Sequence, residues 1–210
     1  MMSLDELLTG RRSIRKYKAE KVPEAWIEQM LRSAVLAPSS GNSQPVRFIR
    51  ISSQDRREAL REALEAGRKK FLLQAERSEK PKKLMNWINA YFRFSAFMFS
   101  APVLLALGTV NPYSGLSRIL AEAGLFVPDG RWKTDGDIAV GLNLQGMMLK
   151  AQELGLGTCI LTAPLVFIAK AEEIIGFRDG EIKCFLTIGF PDERPPATPR
   201  KDLTRLYREI

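Results

Sequence analysis

The stretch "RRSIRKYKAEKVPEAWIEQMLRSAVLAPSSGNSQPVRFIRI", residues 11–51, sets the fold class. It passes from a basic loop into an amphipathic helix, through a polar loop, and out as a strand. The helix starts near Pro23, a residue tolerated in a first helical turn. Trp26, Ile27, Met30, Leu31, Ala34 and Val35 recur at helical spacing and form a core-facing stripe. Pro38 stops the helix and opens the loop "APSSGNSQP" (37–45). Val46, Phe48, Ile49 and Ile51 then read as a strand.

Working outward, Ser3 and Glu6 have capping-box spacing for a short first helix that Gly10 can close. Beyond the strand, about 53–77 reads as a highly charged amphipathic helix. About 81–100 reads as a second, more buried helix rich in aromatics. A break at Ala101-Pro102 leads to the strand "VLLALGT" (103–109). Asn111 to Gly136 holds turn residues around a possible short helix near "LSRILAEAG" (116–124). Asp135 or Asp137 is placed to cap the apolar helix "IAVGLNLQGMMLKAQEL" (138–154), which Gly155 stops. Gly141 and Gly146 inside it cost helix propensity, which points to close backbone packing. A strand "GTCIL" (157–161), a helix "PLVFIAKAEEII" (164–175) ended by Gly176, and a strand "IKCFLTIGF" (182–190) complete the order. Helices with four irregularly interleaved strands make an α+β domain, one unit over residues 1–210. No G-x-G-x-x-G follows a strand, so a Rossmann dinucleotide site is not supported.

Composition narrows the chemistry. There is no histidine, which excludes Ser-His-Asp triads, His-ligated zinc and histidine general bases. Cys159 and Cys184 form no C-x-x-C unit and sit in apolar stretches, so both read as buried structural thiols in a reduced, cytoplasmic setting. No metal site is expected. The N-terminus lacks the apolar run of a signal peptide. The uncharged segment Phe94 to Ser117 has an apolar part of 17 residues, Phe94 to Val110, interrupted by Pro102. That is short of the roughly 20 a spanning helix needs, so no membrane span is expected. A net charge of +8 suggests anionic partners, but much of it lies on solvated helix faces such as "DRREALREALEAGRKK" (55–70). A basic nucleic-acid-binding module has only this charge in its favour, because no helix-turn-helix, zinc site or RNA-recognition motif is present.

Three widely separated segments can carry chemistry. Arg11, Arg12, Ser13 and Arg15 offer guanidiniums and a hydroxyl that suit an oxyanion, although such a cluster alone is more often a solvated loop or a generic anion patch. Pro38 to Pro45 packs hydroxyls, amides and a glycine between rigid prolines, which can present fixed polar groups to a heteroaromatic ring or simply connect helix to strand. Arg200 and Lys201 sit in a proline-punctuated, basic tail over 191–210.

Taken together, "RRSIRKY", the "VP" and helix after it, and "APSSGNSQP" resemble the N-terminal signature of the nitroreductase family. Further matches are D-x-A-V at Asp137 to Val140, "ELGLGTC" (153–159), "IGFPDERP" (188–195) and the late "RK". The order fits over nearly the whole chain and is weakest from about Glu65 to Gly130. The resemblance implies a nitroreductase-like fold, with a central, mostly antiparallel sheet flanked by helices. It also implies an obligate homodimer with FMN at the subunit interface, and NADH or NADPH as electron donor. About 65–136 would be a variable helical insertion with a lid over the flavin, and 191–210 a C-terminal extension.

By position, Arg11, Arg12, Ser13 and Arg15 would reach the FMN phosphate and the pyrimidine side of its ring. Pro38, Ser39, Ser40, Asn42 and Gln44 would also contact FMN, some of them from the partner subunit. Thr162 and Ala163 would present backbone N–H groups to the reactive flavin nitrogen, and Arg200 with Lys201 would complete the phosphate site. No catalytic acid or base is expected. The implied reaction reduces nitroaromatic, quinone or related small-molecule acceptors by a ping-pong route. A specialised reaction on the same fold, reductive dehalogenation or dehydrogenation of a metabolite, is the alternative. Val46, Ile160, Thr162, Ala163 and Gly146 replace commoner family residues, mostly on the substrate side.

Overall fold

The computed structural model describes residues 2–110, 115–125 and 133–210. The elements are α1 (Leu4–Gly10), α2 (Glu24–Val35), β1 (Val46–Arg50), α3 (Gln54–Glu76), α4 (Pro81–Ala96), β2 (Val103–Val110), α5 (Gly115–Glu122), α6 (Lys133–Glu153), β3 (Gly157–Leu161), α7 (Pro164–Phe167), α8 (Ala171–Ile175) and β4 (Gly180–Gly189). The four strands form one sheet in the order β1-β2-β4-β3, with every neighbouring pair antiparallel. The α+β expectation therefore stands, as do the four strands.

Strand alternation explains how the sheet sits at the centre. Val103, Leu105 and Leu107 of β2, with Cys184, Leu186 and Ile188 of β4, point to one face and pack against α2 and α6. Leu104 and Ala106, with Phe185, Cys159 and Leu161, point to the other face and meet α3, α7 and α8. A sheet covered on both faces needs apolar residues at successive positions, which is why β2 reads as an unbroken apolar run. The register slips between Leu107 and Gly108, where the ladder passes from Cys184 to Ile182. The skipped Lys183 is largely buried, and its ammonium pairs with Asp137 at 3.0 Å and Glu181 at 3.2 Å.

Helix ends follow the local chemistry. Ser3 and Glu6 form the full capping box of α1, and the Ser53 hydroxyl accepts from the Arg56 N–H at the start of α3. Gly176 ends α8 in a left-handed conformation. The Arg57 guanidinium donates to the carbonyls of Ile51 and Ala101, at 2.9 and 3.0 Å, and so ties α3 to the start of the sheet. Two glycines allow backbones to touch. A Cβ on Gly146 of α6 would lie 2.9 Å from the Ser33 carbonyl oxygen of α2. A Cβ on Gly67 of α3 would overlap the Phe167 carbonyl oxygen of α7.

Several expectations are corrected. The segment 81–100 is not a buried helix: α4 buries only Ser95, Trp87 and Phe94 are more than half exposed, and 97–100 is a 3₁₀ turn. Its aromatics follow helical spacing, but that periodicity does not say which face is covered. The segment 164–175 is two short helices, because Ile168 leaves the helical conformation. The apolar helix begins at Lys133, so Asp135 lies in its first turn and neither Asp135 nor Asp137 is its cap. Gly141 has nothing within 4 Å of a would-be Cβ, so it marks no close packing within the chain. Val35, assigned to the core stripe of α2, is exposed, whereas Ile27, Met30 and Ala34 are buried. Of the segment Asn111 to Gly136, α5 and the first turn of α6 are described, and the expected lid otherwise lies outside the described residues.

Candidate functional site

β3 is an edge strand, and the basic loop after α1 runs beside it. Ser13 forms a parallel bridge with Thr158, and the Ile14 N–H donates to the Thr158 carbonyl at 2.9 Å. Gly157 makes room for this contact, since a Cβ there would sit 2.7 Å from the Ile14 side chain. The loop then meets the chain leaving β4. The Lys18 N–H donates to the Phe190 carbonyl at 2.9 Å, and the Asp192 N–H donates to the Lys16 carbonyl at 3.0 Å. The Glu193 carboxylate accepts the backbone N–H groups of both Arg15 and Lys16. The Tyr17 hydroxyl lies 2.5 Å from the Ile14 carbonyl oxygen and 2.7 Å from the Thr187 hydroxyl, and burial pushes its phenol well above its ordinary range.

Stitched in this way, the loop faces the tail as it passes back over α1. Arg11, Arg12, Ser13 and Arg15 line one open pocket together with Thr9, Thr198 and Arg200. Its volume is about 600 Å³, and no carboxylate is among its lining residues. Four guanidiniums and a hydroxyl, with no neutralising acid in the wall, form an anion cradle. Arg12 also supports the wall itself: its guanidinium donates to the Thr9 carbonyl at 2.6 Å and to its neighbour's, Arg11, at 2.9 Å. Arg15 lies over the Phe94 ring of α4, 5.7 Å from its centroid.

The polar loop between α2 and β1 forms a separate place. Ser40–Asn42 is a 3₁₀ turn, with Gly41 (φ 55°), Asn42 (φ 52°) and Gln44 (φ 44°) in the left-handed region. That conformation is uncommon for residues other than glycine and costs backbone energy unless it is held in place. Here it is held: the Gln44 N–H donates to the Ser39 hydroxyl at 2.9 Å, and the Gln44 amide donates to the Asn42 side-chain oxygen at 3.1 Å. Ser39 and Gln44 line a second pocket, of about 220 Å³, with Arg47 and Asn143. Pro38, Ser40 and Asn42 are exposed and line neither pocket.

The remaining expected residues lie apart. Thr162 and Ala163 follow β3 and open α7, and their carbonyls accept from the N–H groups of Leu165 and Val166. Lys201 is exposed and outside the cradle that Arg200 joins. Both cysteines are buried and unpaired. Burial pushes the Cys184 thiol up to about 12. It also raises that of Cys159, against the opposing pull of Arg15. Neither thiol is poised as a nucleophile. Among the described residues, no group of three or more acidic, cysteine or histidine side chains could hold a metal. Nor is any helix long and apolar enough to cross a membrane.

Sequence reading missed the Glu193 clasp, because an acid in "IGFPDERP" gives no sign that it takes backbone N–H groups from residues 15 and 16. It also missed Arg47 and Asn143. Asn143 did leave a signal, as an amide in the middle of an otherwise apolar helical run.

Comparison with known proteins places the fold. The family model described as "Nitroreductase family" matches residues 8–190. A Bacillus subtilis (strain 168) protein, YfhC, that carries an NAD(P)H nitroreductase assignment is 26% identical over 210 residues, covering 99% of this chain and 94% of that protein. The iodotyrosine deiodinase of Danio rerio is 27% identical over 206 residues, covering 94% of this chain but 63% of the deiodinase. In structure, a BluB-like flavoprotein from Clostridium difficile 630 superposes over the full length of both chains, with a TM-score of 0.82 at 23% identity.

Proposed function

Because the chain belongs to the nitroreductase family, we propose that it is an FMN-dependent oxidoreductase that takes hydride from NADH or NADPH and reduces nitroaromatic, quinone or related acceptors by a ping-pong route. The observation that carries this reading is the carboxylate-free cradle of Arg11, Arg12, Ser13, Arg15 and Arg200. A phosphate dianion calls for several cationic donors in a fixed array, and this array fits one. FMN, when bound, supplies the hydride-accepting and hydride-donating chemistry. The chain's own residues bind and orient it. The arginines and Ser13 hold the phosphate, and Lys201, next to Arg200 but outside the cradle, adds only its nearby charge. Arg15 reaches toward the pyrimidine edge, where positive charge favours the reduced form. Pro38, Ser39, Ser40, Asn42 and Gln44 contact FMN, some of them from the partner subunit, and Thr162 and Ala163 turn backbone N–H groups toward it. No side-chain acid or base is assigned, consistent with a chain that lacks histidine.

Purified protein should be yellow and should bleach anaerobically on addition of NADH or NADPH. A chain that takes up no FMN from excess cofactor would end this reading.

A homodimer in the cytoplasm completes the proposal. The outer face of α6 leaves Ile138 56% and Leu142 42% exposed, with the open Gly141 between them. An apolar face on a central helix suits a second copy of the chain. Leu142→Glu is expected to turn a dimer into a monomer on size-exclusion chromatography and to release its flavin. A variant that stays dimeric and yellow would refute the α6 interface.

A second reading, reductive dehalogenation on the same fold, is favoured by the deiodinase relative and permitted by the departures at Val46, Ile160, Thr162 and Ala163. Iodide release from iodotyrosine by dithionite-reduced protein, alongside slow nitroaromatic reduction, would select it over the first.

A further inference from the structure

Glu193 serves the cradle without entering it. Ser13 and Arg15 line the cradle, whereas Ile14 between them lines another pocket together with Glu193, Gln152 and Arg194. The basic loop therefore runs between the two, and the carboxylate stands on the side away from the anion. One of its oxygens, Oε1, accepts both the Arg15 N–H and the Lys16 N–H, the latter at 3.1 Å. Hydrogen bonds to an ionised acceptor are the stronger kind, so this pair fixes the backbone at 15 and 16.

The Arg15 side chain depends on that backbone. Its guanidinium donates to no protein acceptor among the described residues and rests on the Phe94 ring, 5.7 Å from the centroid. Arg12 differs, because its guanidinium is tied to the carbonyls of Thr9 and Arg11. Where Arg15 points is thus set by the peptide that carries it and by one aromatic face.

We propose that Glu193 is a positioning residue for Arg15: by clasping the backbone at 15 and 16 it aims the guanidinium at the pyrimidine edge of the cofactor. This role rests on the flavin reading above. A guanidinium held there favours the reduced, more negative cofactor and raises its reduction potential. The carboxylate's own charge works the other way, because a nearby negative group disfavours the reduced form. Positioning and bare charge therefore predict opposite signs when Glu193 is replaced.

The test is the reduction potential of FMN bound to the purified protein, titrated against a reference dye. Glu193→Ala removes both hydrogen bonds. Its preference for reduced over oxidised FMN should drop about tenfold, a fall of about 30 mV for a two-electron couple. Glu193→Gln keeps an acceptor oxygen and loses only the charge, so its potential should stay at or above that of the wild type. In an Arg15→Ala background, Glu193→Ala should bring no further fall, because its effect passes through Arg15. Amide hydrogen exchange at Arg15 and Lys16, read on flavin-free protein, should quicken in Glu193→Ala and not in Glu193→Gln. Four results would overturn the role: an unchanged or raised potential in Glu193→Ala; an equal fall in Glu193→Gln; a further fall on the Arg15→Ala background; or unaltered exchange at both amides. If Glu193→Ala does not fold or hold flavin, Glu193→Asp decides in its place. It keeps the charge but draws the carboxylate back by one methylene, so the potential should again fall, and an unchanged value refutes positioning. Wild-type protein that takes up no FMN overturns the flavin reading and this role together, whereas the results above overturn the role alone.

Discussion

Arg11→Ala combined with Arg200→Ala should leave the protein folded but nearly colourless. The two guanidiniums come from opposite ends of the chain and meet in one pocket wall, with no acid between them. A charge-assisted hydrogen bond contributes roughly 1.5–3 kcal/mol, and exposure of Arg200 to solvent lowers its share. Together the pair is worth about 2–4 kcal/mol, or roughly 30- to 1000-fold in FMN dissociation constant. The measurement is fluorescence titration of the stripped protein with FMN and, in parallel, with riboflavin. A phosphate cradle predicts that FMN binding falls while riboflavin binding barely moves. Equal losses for both would mean that the arginines hold the ring or the fold instead. Arg12 is the poorer probe, because its guanidinium also secures the end of α1 through the Thr9 carbonyl, so its removal mixes two effects.

Gly67→Ala is expected to be the most damaging one-methyl change on the other side of the molecule. The added Cβ would overlap the Phe167 carbonyl oxygen and lie 2.8 Å from its carbonyl carbon, so a backbone must move and not merely a side-chain tip. α7 cannot yield easily. Phe167 packs edge-on against Phe71 of α3, with centroids 5.8 Å apart, and against Phe92 of α4 at 6.5 Å. Overpacking of this kind costs about 3 kcal/mol, at the upper end of the usual range. For a chain of this length that is a fall in Tm of roughly 6–12 °C. Thermal denaturation followed by circular dichroism reads it directly. An unchanged Tm would show that α3 and α7 are not in contact at Gly67.

What the sequence revealed, and what it hid, follows from the range of the forces involved. α1 was legible because its capping box is local, with Ser3 and Glu6 three residues apart and satisfying each other. β2 was legible because a short apolar run after the break at Pro102, too short for a buried helix of usual length, fits a strand covered on both faces. The arginines of the cradle were visible as an anion site, but their meeting with Arg200 depends on the tail folding back over α1. No spacing rule encodes that path. The aromatics of α4 were misread for the same reason. Trp87, Tyr91 and Phe94 have core-like spacing, yet one copy of the chain does not cover them. Ile168 breaks the helix over 164–175 where local propensity alone would carry it through, and the α3 contact at Phe167 falls at that point. Gly146 and Gly141 look alike in sequence. Only the position of α2 against α6 separates the one that touches a neighbouring backbone from the one that does not.

The stitching of residues 13–18 to Thr158, Phe190 and Glu193 has a consequence in time. At ordinary synthesis rates the ribosome delivers Arg11 to Arg15 roughly ten to forty seconds before the residues that clasp them. During that interval the arginines have no pocket, because its far wall is not yet made. Closing a loop of this length also carries an entropy cost that is met before its contacts can form. The cradle is thus among the last parts of the molecule to come into being. If the cradle holds the cofactor phosphate as proposed, capture has to wait until the two ends of the chain have met.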